Sequence, residues 1–450
     1  MEQAVQDSTN LALAGTLFLA AVAVLMLALP RRLAMLPLLA TVCYMPLGQQ
    51  VVLAGLHFTI IRLVILVGVA RVVCRGEARG LSLNRIDKLV VWWAVLSVIL
   101  GFLSKPDLKN LVNRLGSFYM AVGIYFLVSC WIRDSKTFVA SMKLLALLAI
   151  PLAILMIIEK TTSRNVFSLF GGVPEFTEQR EGHLRCQAAF RHPILAGTFG
   201  ATSLPLFIGL WFQGRGSRTL ALLGCISACT IAVAASSGGA LLTLLLGGVG
   251  FGFWRFRFQM RWVRRGVVVV ILALAIVMQA PVWYLTARLS GVFGGTGWHR
   301  SWLVDTTLAH FSEWWLCGTT YTAHWGGNTY VLDDDPDNID ITSQYVAEAV
   351  KGGVLKLALF VAIIVQCFKV LGRRIQAEAV GSAPAGVLWW AIGVCLFTHC
   401  VSFWSIPYFD QMAVIWYWLL AAVSRIAGDE EAPLGLLAGE PGLGRRFEFT

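Results

Sequence analysis

Apolar runs long enough to cross a membrane as helix recur along nearly the whole chain, at roughly 11–29, 58–74, 88–104, 116–132, 138–158, 193–212, 219–235, 238–253, 267–284, 354–371, 385–404 and 408–426. Backbone in lipid must satisfy its own hydrogen bonds, and a hydrocarbon layer about 30 Å thick takes ~20 residues of helix to cross, so these runs predict helices. They make about twelve spans by that measure. The interval from Leu33 to Leu56 is interrupted by Pro37, Pro46, Gly48, Gln49 and Gln50. It predicts either a thirteenth, broken span or a re-entrant segment. The first run follows Glu2 and Asp7 and precedes Pro30, Arg31 and Arg32, without a basic lead or a small-residue cleavage pattern, and is therefore expected to stay as a span.

Two polar intervals break the pattern, at about 159–192 and 285–353. The later one carries Arg288, His299, Arg300, Asp305, His310, Glu313, His324, the acidic residues Asp333, Asp334, Asp335, Asp337 and Asp340, then Tyr345, Glu348 and Lys351. Among them stand Trp298, Trp302, Trp314, Trp315 and Trp325. A polar interval this long is functional or disordered, and its tryptophans argue against disorder. The acidic run lacks the glycine and glutamate positions of a calcium loop and reads as a solvated turn. Residues 1–426 thus form one transmembrane helical domain with two long loops, followed by a Gly-, Pro- and Glu-containing tail at 427–450 expected to be disordered and cytoplasmic.

Composition agrees: 57% of residues are hydrophobic and 14% charged, with a mean hydropathy of +0.72. This is an all-α polytopic membrane protein by class. The net charge of +11 does not point to nucleic acid, because Lys and Arg fall in short clusters between apolar runs. Clusters at Arg71, Arg75, Arg79, Arg85 and Lys88, at Arg133, Lys136 and Lys143, at Arg215 and Arg218, at Arg255 to Arg265, and at Lys369, Arg373 and Arg374 recur at every second loop. Such loops are cytoplasmic, and the alternation puts both polar intervals on the opposite, extracytoplasmic face. Two loops on one face can form one site. The ten cysteines contain no CxxC pair and lie mostly inside apolar runs, which argues against a disulfide framework or a zinc site; Cys186 and Cys317, in the two loops, would pair only if the loops meet and are expected as free thiols. No P-loop, GxSxG or HExxH pattern is present.

The earlier loop carries Arg164, Arg180, Arg185 and Arg191 ahead of Pro193. Guanidinium presents a planar fork of donors that matches phosphate oxygens in pairs and keeps its charge, so clustered arginine at a membrane face suits a lipid-linked phosphate or pyrophosphate. The competing role is contact with ordinary anionic headgroups. In the later loop, Trp298 to Trp302 precede a predicted amphipathic helix reaching Trp315. Aromatic faces beside polar donors suit sugar rings, with Trp325 the foremost candidate and an interfacial aromatic belt the alternative.

The Arg62-bearing segment Phe58 to Leu63, the Arg185 to Pro193 segment entering a span, the turn Ser236 to Gly239, and Arg300 leading through a polar loop to Asp340–Tyr345 and Gly352, Gly353 together resemble the O-antigen polymerase and O-antigen ligase superfamily of bacterial polysaccharide assembly. The resemblance implies a GT-C-like inverting glycosyltransferase of the inner membrane, independent of metal and cofactor, with its long loops periplasmic. Its donor would be an undecaprenyl-pyrophosphate-linked glycan and its acceptor a glycan or a lipid, with membrane lipids and other polysaccharide assembly proteins as further partners. Arg185, with Arg180 or Arg191, would bind the pyrophosphate. Arg300 or Arg288 would assist its departure, and Tyr345 belongs to the same substrate-binding set. Where ligases carry a histidine this chain has the segment Asp340–Tyr345, leaving Asp340 and His324 as candidates for the base. If the lead-in to the next span is helical, Asp340 and Gln344 share a face at i and i+4, and nearby arginines would hold the carboxylate ionised and weakly basic. A transporter of the same lipid-linked sugars is the alternative of a different class, with Arg62 and His399 as its candidate intramembrane groups.

Overall fold

The computed structural model describes residues 11–47, 49–53, 56–288, 297–326, 331–332, 335–377 and 383–427. Asp333, Asp334 and the tail beyond 427 lie outside these. Helices dominate: α1 (Leu13–Ala28), α2 (Met35–Tyr44), α3 (Ile60–Arg75), α4 (Arg85–Ser104), α5 (Leu108–Trp131), α6 (Ser135–Thr162), α7 (Pro193–Trp211), α8 (Arg218–Ala234), α9 (Gly238–Gly252) and α10 (Met260–Val277). After the second polar interval come α11 (Gly297–Ala309), α12 (Phe311–Trp314), α13 (Gln344–Val350), α14 (Gly353–Ala377), α15 (Ala383–Ser402) and α16 (Asp410–Ala427). Three antiparallel hairpins supply the strands: β1 (Gln50–Leu53) with β2 (Leu56–Thr59), β3 (Glu178–Arg180) with β4 (His183–Arg185), and β5 (Val331–Leu332) with β6 (Asp335–Ile339).

A helix falls on every predicted apolar run. Among the described residues, six are long and apolar enough to cross a membrane alone: α4, α5, α6, α7, Arg215–Ala234 and α14. The number is seven if Gly238–Val277 and Val282–Arg288, bent by 95°, count as one span. Others run short. The 16 residues of α1 and of α3 each extend ~24 Å at 1.5 Å per residue. The ambiguous 33–56 interval holds α2, 10 residues long, and the β1–β2 hairpin; at ~15 Å α2 reaches about half of the hydrocarbon thickness, the length of a re-entrant helix.

Starts and stops follow local chemistry. Asn84 and Asp87 form a reciprocal capping box at α4, as do Asp134 and Thr137 at α6. His192 Nδ1 accepts from the Ile194 N–H at the start of α7, where Pro193 occupies a position that needs no N–H partner. The centre of the bundle is α7, packed against α8, α9 and α15. Small residues permit that approach: a Cβ at Gly200 would meet the Ala228 carbonyl oxygen at 2.5 Å.

One end of the bundle holds a closed set of charges. Arg71 pairs with Glu77 at 2.8 Å, and Trp131 Nε1 donates to the same carboxylate at 2.9 Å. Arg425 pairs with Asp87, which also accepts from Tyr125 Oη at 2.5 Å and Ser424 Oγ at 2.7 Å. Every one of these groups is buried.

Candidate functional site

The opposite end is cationic and mostly open. Lys160, in the last turn of α6, donates to the Leu184 carbonyl and to Ser236 Oγ at 2.8 Å. Ser236 has a left-handed φ of 45°, turning the chain between α8 and α9 so that Ser237, Gly238 and Gly239 present the N-terminus of α9 to the same place. A Cβ at Gly239 would lie 3.6 Å from Arg300 Nη2. The bare glycine thus brings a guanidinium beside a helix start that itself carries partial positive charge.

Arg300 stands on α11 with its Nε buried and without a hydrogen-bond partner. Burial first, then the charge of Arg180, push its pKa below the ordinary guanidinium value. Among the described residues no carboxylate pairs with it. A desolvated cation facing like charge is costly, and an anion with several oxygens would relieve that cost.

The hairpin β3–β4 carries the earlier loop's arginines. Its register sets Glu178 opposite Arg185, and the two form an ion pair of 2.8 Å. Arg185, expected as a pyrophosphate fork, is buried and engaged with this carboxylate. Arg180 is exposed, 3.8 Å from Glu181, and its charge reaches Arg300. Arg191 is exposed too and acts electrostatically on Asp410, whose Oδ2 is buried without a hydrogen-bond partner. Burial, then the Arg185 charge, lower the pKa of His192, keeping it a neutral cap. Glu159 fastens the loop from beneath, accepting from the N–H groups of Gln187 at 3.0 Å and Ala188 at 2.8 Å. The two polar intervals therefore approach one another, with Arg180 near enough to Arg300 to act on its charge. Arg288 is exposed at the edge of the described segment, with no described contact joining it to this cluster.

Asp340 follows β6 directly, and its backbone carbonyl lies 3.0 Å from His299 Nε2, one residue before Arg300. Asp340 as a residue is exposed, yet partial desolvation of its carboxyl raises the pKa, and the opposing charge of His299 only partly offsets it. This corrects two expectations. Asp340 is not on the lead-in helix, because strand pairing holds the chain extended to Ile339 and α13 begins at Gln344 behind Ser343. Nor do arginines depress its pKa; desolvation makes it a stronger base than an ordinary aspartate. Gln344 instead donates to Glu348 at 2.7 Å and accepts from the Tyr408 N–H.

His324 and Trp325 lie elsewhere. His324 Nε2 is 3.0 Å from Glu313, while Trp325 stacks on His310 at 5.0 Å and 14° and donates to Glu313 at 2.9 Å. His299 and His310 stand 11 residues apart along α11 and its end, ~16 Å at 1.5 Å per residue, so His324 sits about a helix length from Arg300. Trp325 is 7% exposed, its ring and N–H used within the loop. Tyr345 Oη donates to the Cys400 carbonyl at 3.0 Å, and its ring packs against Phe360 and Phe403; it faces the bundle interior. Of the transporter candidates, His399 is fully buried with Nδ1 2.7 Å from Tyr408 Oη, and Tyr119 Oη donates to the Arg62 carbonyl.

Lys160 and Asp410 were not singled out by their sequence, and Gly239 only as the end of the turn Ser236 to Gly239. Lys160 directly follows a buried Glu at the end of a long apolar run, and Ser236 to Gly239 forms a turn between two such runs; both signals were present but local. Asp410 gave none apart from being an acid at the start of a span. No protein-family model matches the chain, and no curated protein matches it either.

Proposed function

We propose that this chain is a membrane glycosyltransferase of polysaccharide assembly that moves a glycan from an undecaprenyl-pyrophosphate carrier to an acceptor hydroxyl. The single observation carrying the reading is the half-buried Arg300 guanidinium, its Nε buried without a partner and no described carboxylate paired with it, beside the start of α9 and under the added charge of Arg180. A pyrophosphate supplies what such a place lacks. In the reaction the acceptor oxygen forms a bond to the anomeric carbon on the face opposite the leaving group, and the bond from that carbon to the pyrophosphate oxygen breaks. The electron pair departs with the pyrophosphate, where Arg300, Arg180 and Lys160 stabilise the developing charge. The hydroxyl proton passes to the Asp340 carboxylate, whose raised pKa suits a base. No step requires a metal.

The reading includes an inner-membrane location, a GT-C-like arrangement of twelve or thirteen spans and periplasmic placement of both loops. Helices on each apolar run and the approach of the two loops to one another at one end of the bundle support it. The glycan carried by the lipid in a deletion strain tests the function. Single repeats on the carrier identify a polymerase and full-length polymer a ligase. Absence of all extracytoplasmic glycan would identify a flippase and contradict the transferase reading.

A further inference from the structure

Away from the arginine cluster, the outer loop brings together a second set of chemically active side chains. His310, Glu313 and His324 each place one potential ligand atom within 4.8 Å of the others. Their positions are set locally. His310 ends α11, Glu313 lies three residues on in the short α12, and His324 returns in the turn Ala323–Trp325. Nδ1 of His310 is 2.9 Å from the Thr306 carbonyl oxygen. A carbonyl only accepts, so Nδ1 carries the proton and Nε2 bears the lone pair.

Both rings are held by aromatic neighbours: His310 by Trp325, and His324 by Tyr321, stacked at 5.1 Å and 12°. Glu313 Oε2 accepts from Trp325 Nε1 at 2.9 Å, while Oε1 lies 3.2 Å from His324 Nε2. Hydrogen bonds from behind that fix the tautomer of one imidazole and the orientation of the carboxylate are what surrounds a metal-binding set.

We propose that His310, Glu313 and His324 bind a divalent transition metal, with zinc the best fit, through two imidazoles and one carboxylate, a fourth position being left to water. Two nitrogens and one oxygen without thiolate match zinc with three protein ligands, and the exposed side of Glu313 and His324 admits solvent. Tetrahedral bonds of about 2.0–2.1 Å place ligand atoms ~3.3 Å apart, so the three side chains close inward by a short movement on binding. The metal would tie residues 310–325 into one unit and fix Trp325 within the small core of Leu303, Trp314, Ile339 and Val350. Ile339 directly precedes Asp340. The metal thus acts on the loop's order, about a helix length from the proposed transfer site, and stands or falls independently of it.

The full-length protein, purified without a histidine tag and stripped with chelator, is titrated with Zn²⁺ and separately with Co²⁺. One equivalent of zinc bound, a rise in Tm on binding and a visible tetrahedral Co²⁺ spectrum are expected. His324→Ala and Glu313→Gln each abolish the spectrum and the Tm rise while keeping the metal-free Tm. Trp325→Phe, which keeps a stacking ring but removes the donor, weakens zinc about tenfold or more. Failure to bind stoichiometric zinc, or zinc bound equally well by the His324→Ala and Glu313→Gln variants, would overturn the proposal.

Discussion

Helix α16 begins with Asp410 and has Arg425 in its last turn, 15 residues apart, or ~22 Å. Around Arg425 the charge is paired: Asp87 faces it, and Tyr125 and Ser424 complete the carboxylate's hydrogen bonds, although the buried Arg425 Nε, like that of Arg300, has no partner. Around the other end, Arg191 acts on Asp410 without a hydrogen bond to its buried Oδ2, and Arg300 buries an unpartnered Nε at the start of α9, under the charge of Arg180 and with no described carboxylate paired to it. The two ends contain the same kinds of side chain in different states of completion. A closed network serves the fold, since removing one partner leaves a buried charge uncompensated. A cation left without a carboxylate, as Arg300 is among the described residues, serves a ligand of the opposite sign.

That contrast is sharpened first at the closed end. Arg425→Ala should destabilise the protein by about 3–5 kcal/mol, read as a fall in Tm in detergent or nanodisc, with transfer per folded molecule unchanged. If Arg425→Ala were stable yet inactive, the assignment of the two ends would be reversed. At the open end, Arg300→Ala should lose about 100- to 1,000-fold in transfer rate, the usual cost of one stabilising donor to a developing anion, at unaltered Tm. Arg300→Lys should recover only part of that loss, because the charge returns without the fork.

Asp340→Asn should lower the transfer rate by about 100-fold. Partial desolvation raises the pKa of the Asp340 carboxyl, so the wild-type rate should climb with pH through a midpoint above the ordinary aspartate value of ~3.9, and this acid limb should vanish in the Asn variant. His324→Ala should reduce transfer far less. An acid limb retained in Asp340→Asn would move the base elsewhere, with His299 the nearest alternative. The smallest effect is expected from Arg185→Lys. The pair with Glu178 is a single bond between Nη1 and Oε1, with Glu178 part-exposed, so a lysine should preserve most of it at a cost of about 1 kcal/mol or less. Equal activity of Arg185→Lys and wild type in a transfer assay checks this.

Much of the helical plan was legible, because burial in lipid imposes one pattern on the whole chain: each apolar run became a helix, although α5 starts at Leu108 and not 116, and α10 spans Met260–Val277 and not 267–284. The site was legible in part. Arg180 and Arg300 were recognisable as arginines in polar intervals, but which arginine is buried against a carboxylate depends on cross-strand register, and only the β3–β4 pairing reveals that Glu178 claims Arg185. Asp340 was placed on a helix by its spacing to Gln344, whereas a strand of five residues, Asp335–Ile339, holds it outside. Trp325 looked available because aromatic residues in loops suit sugar rings, and Tyr345 because the family resemblance implied it. Tertiary packing turned both inward, and no local pattern distinguishes an inward-facing aromatic from an outward-facing one. Gly239 carries its meaning only through Arg300, 61 positions later in the chain.

The central claim, that the open end holds a pyrophosphate, is tested most directly by equilibrium binding of undecaprenyl pyrophosphate to the purified protein in nanodiscs of zwitterionic lipid, with undecaprenol as the uncharged control. The account predicts saturable binding of the pyrophosphate and not of the alcohol, weakened at least about tenfold in Arg300→Ala, corresponding to 1.4 kcal/mol or more. Binding of equal strength in wild type and Arg300→Ala, or equal binding of pyrophosphate and alcohol, would contradict it.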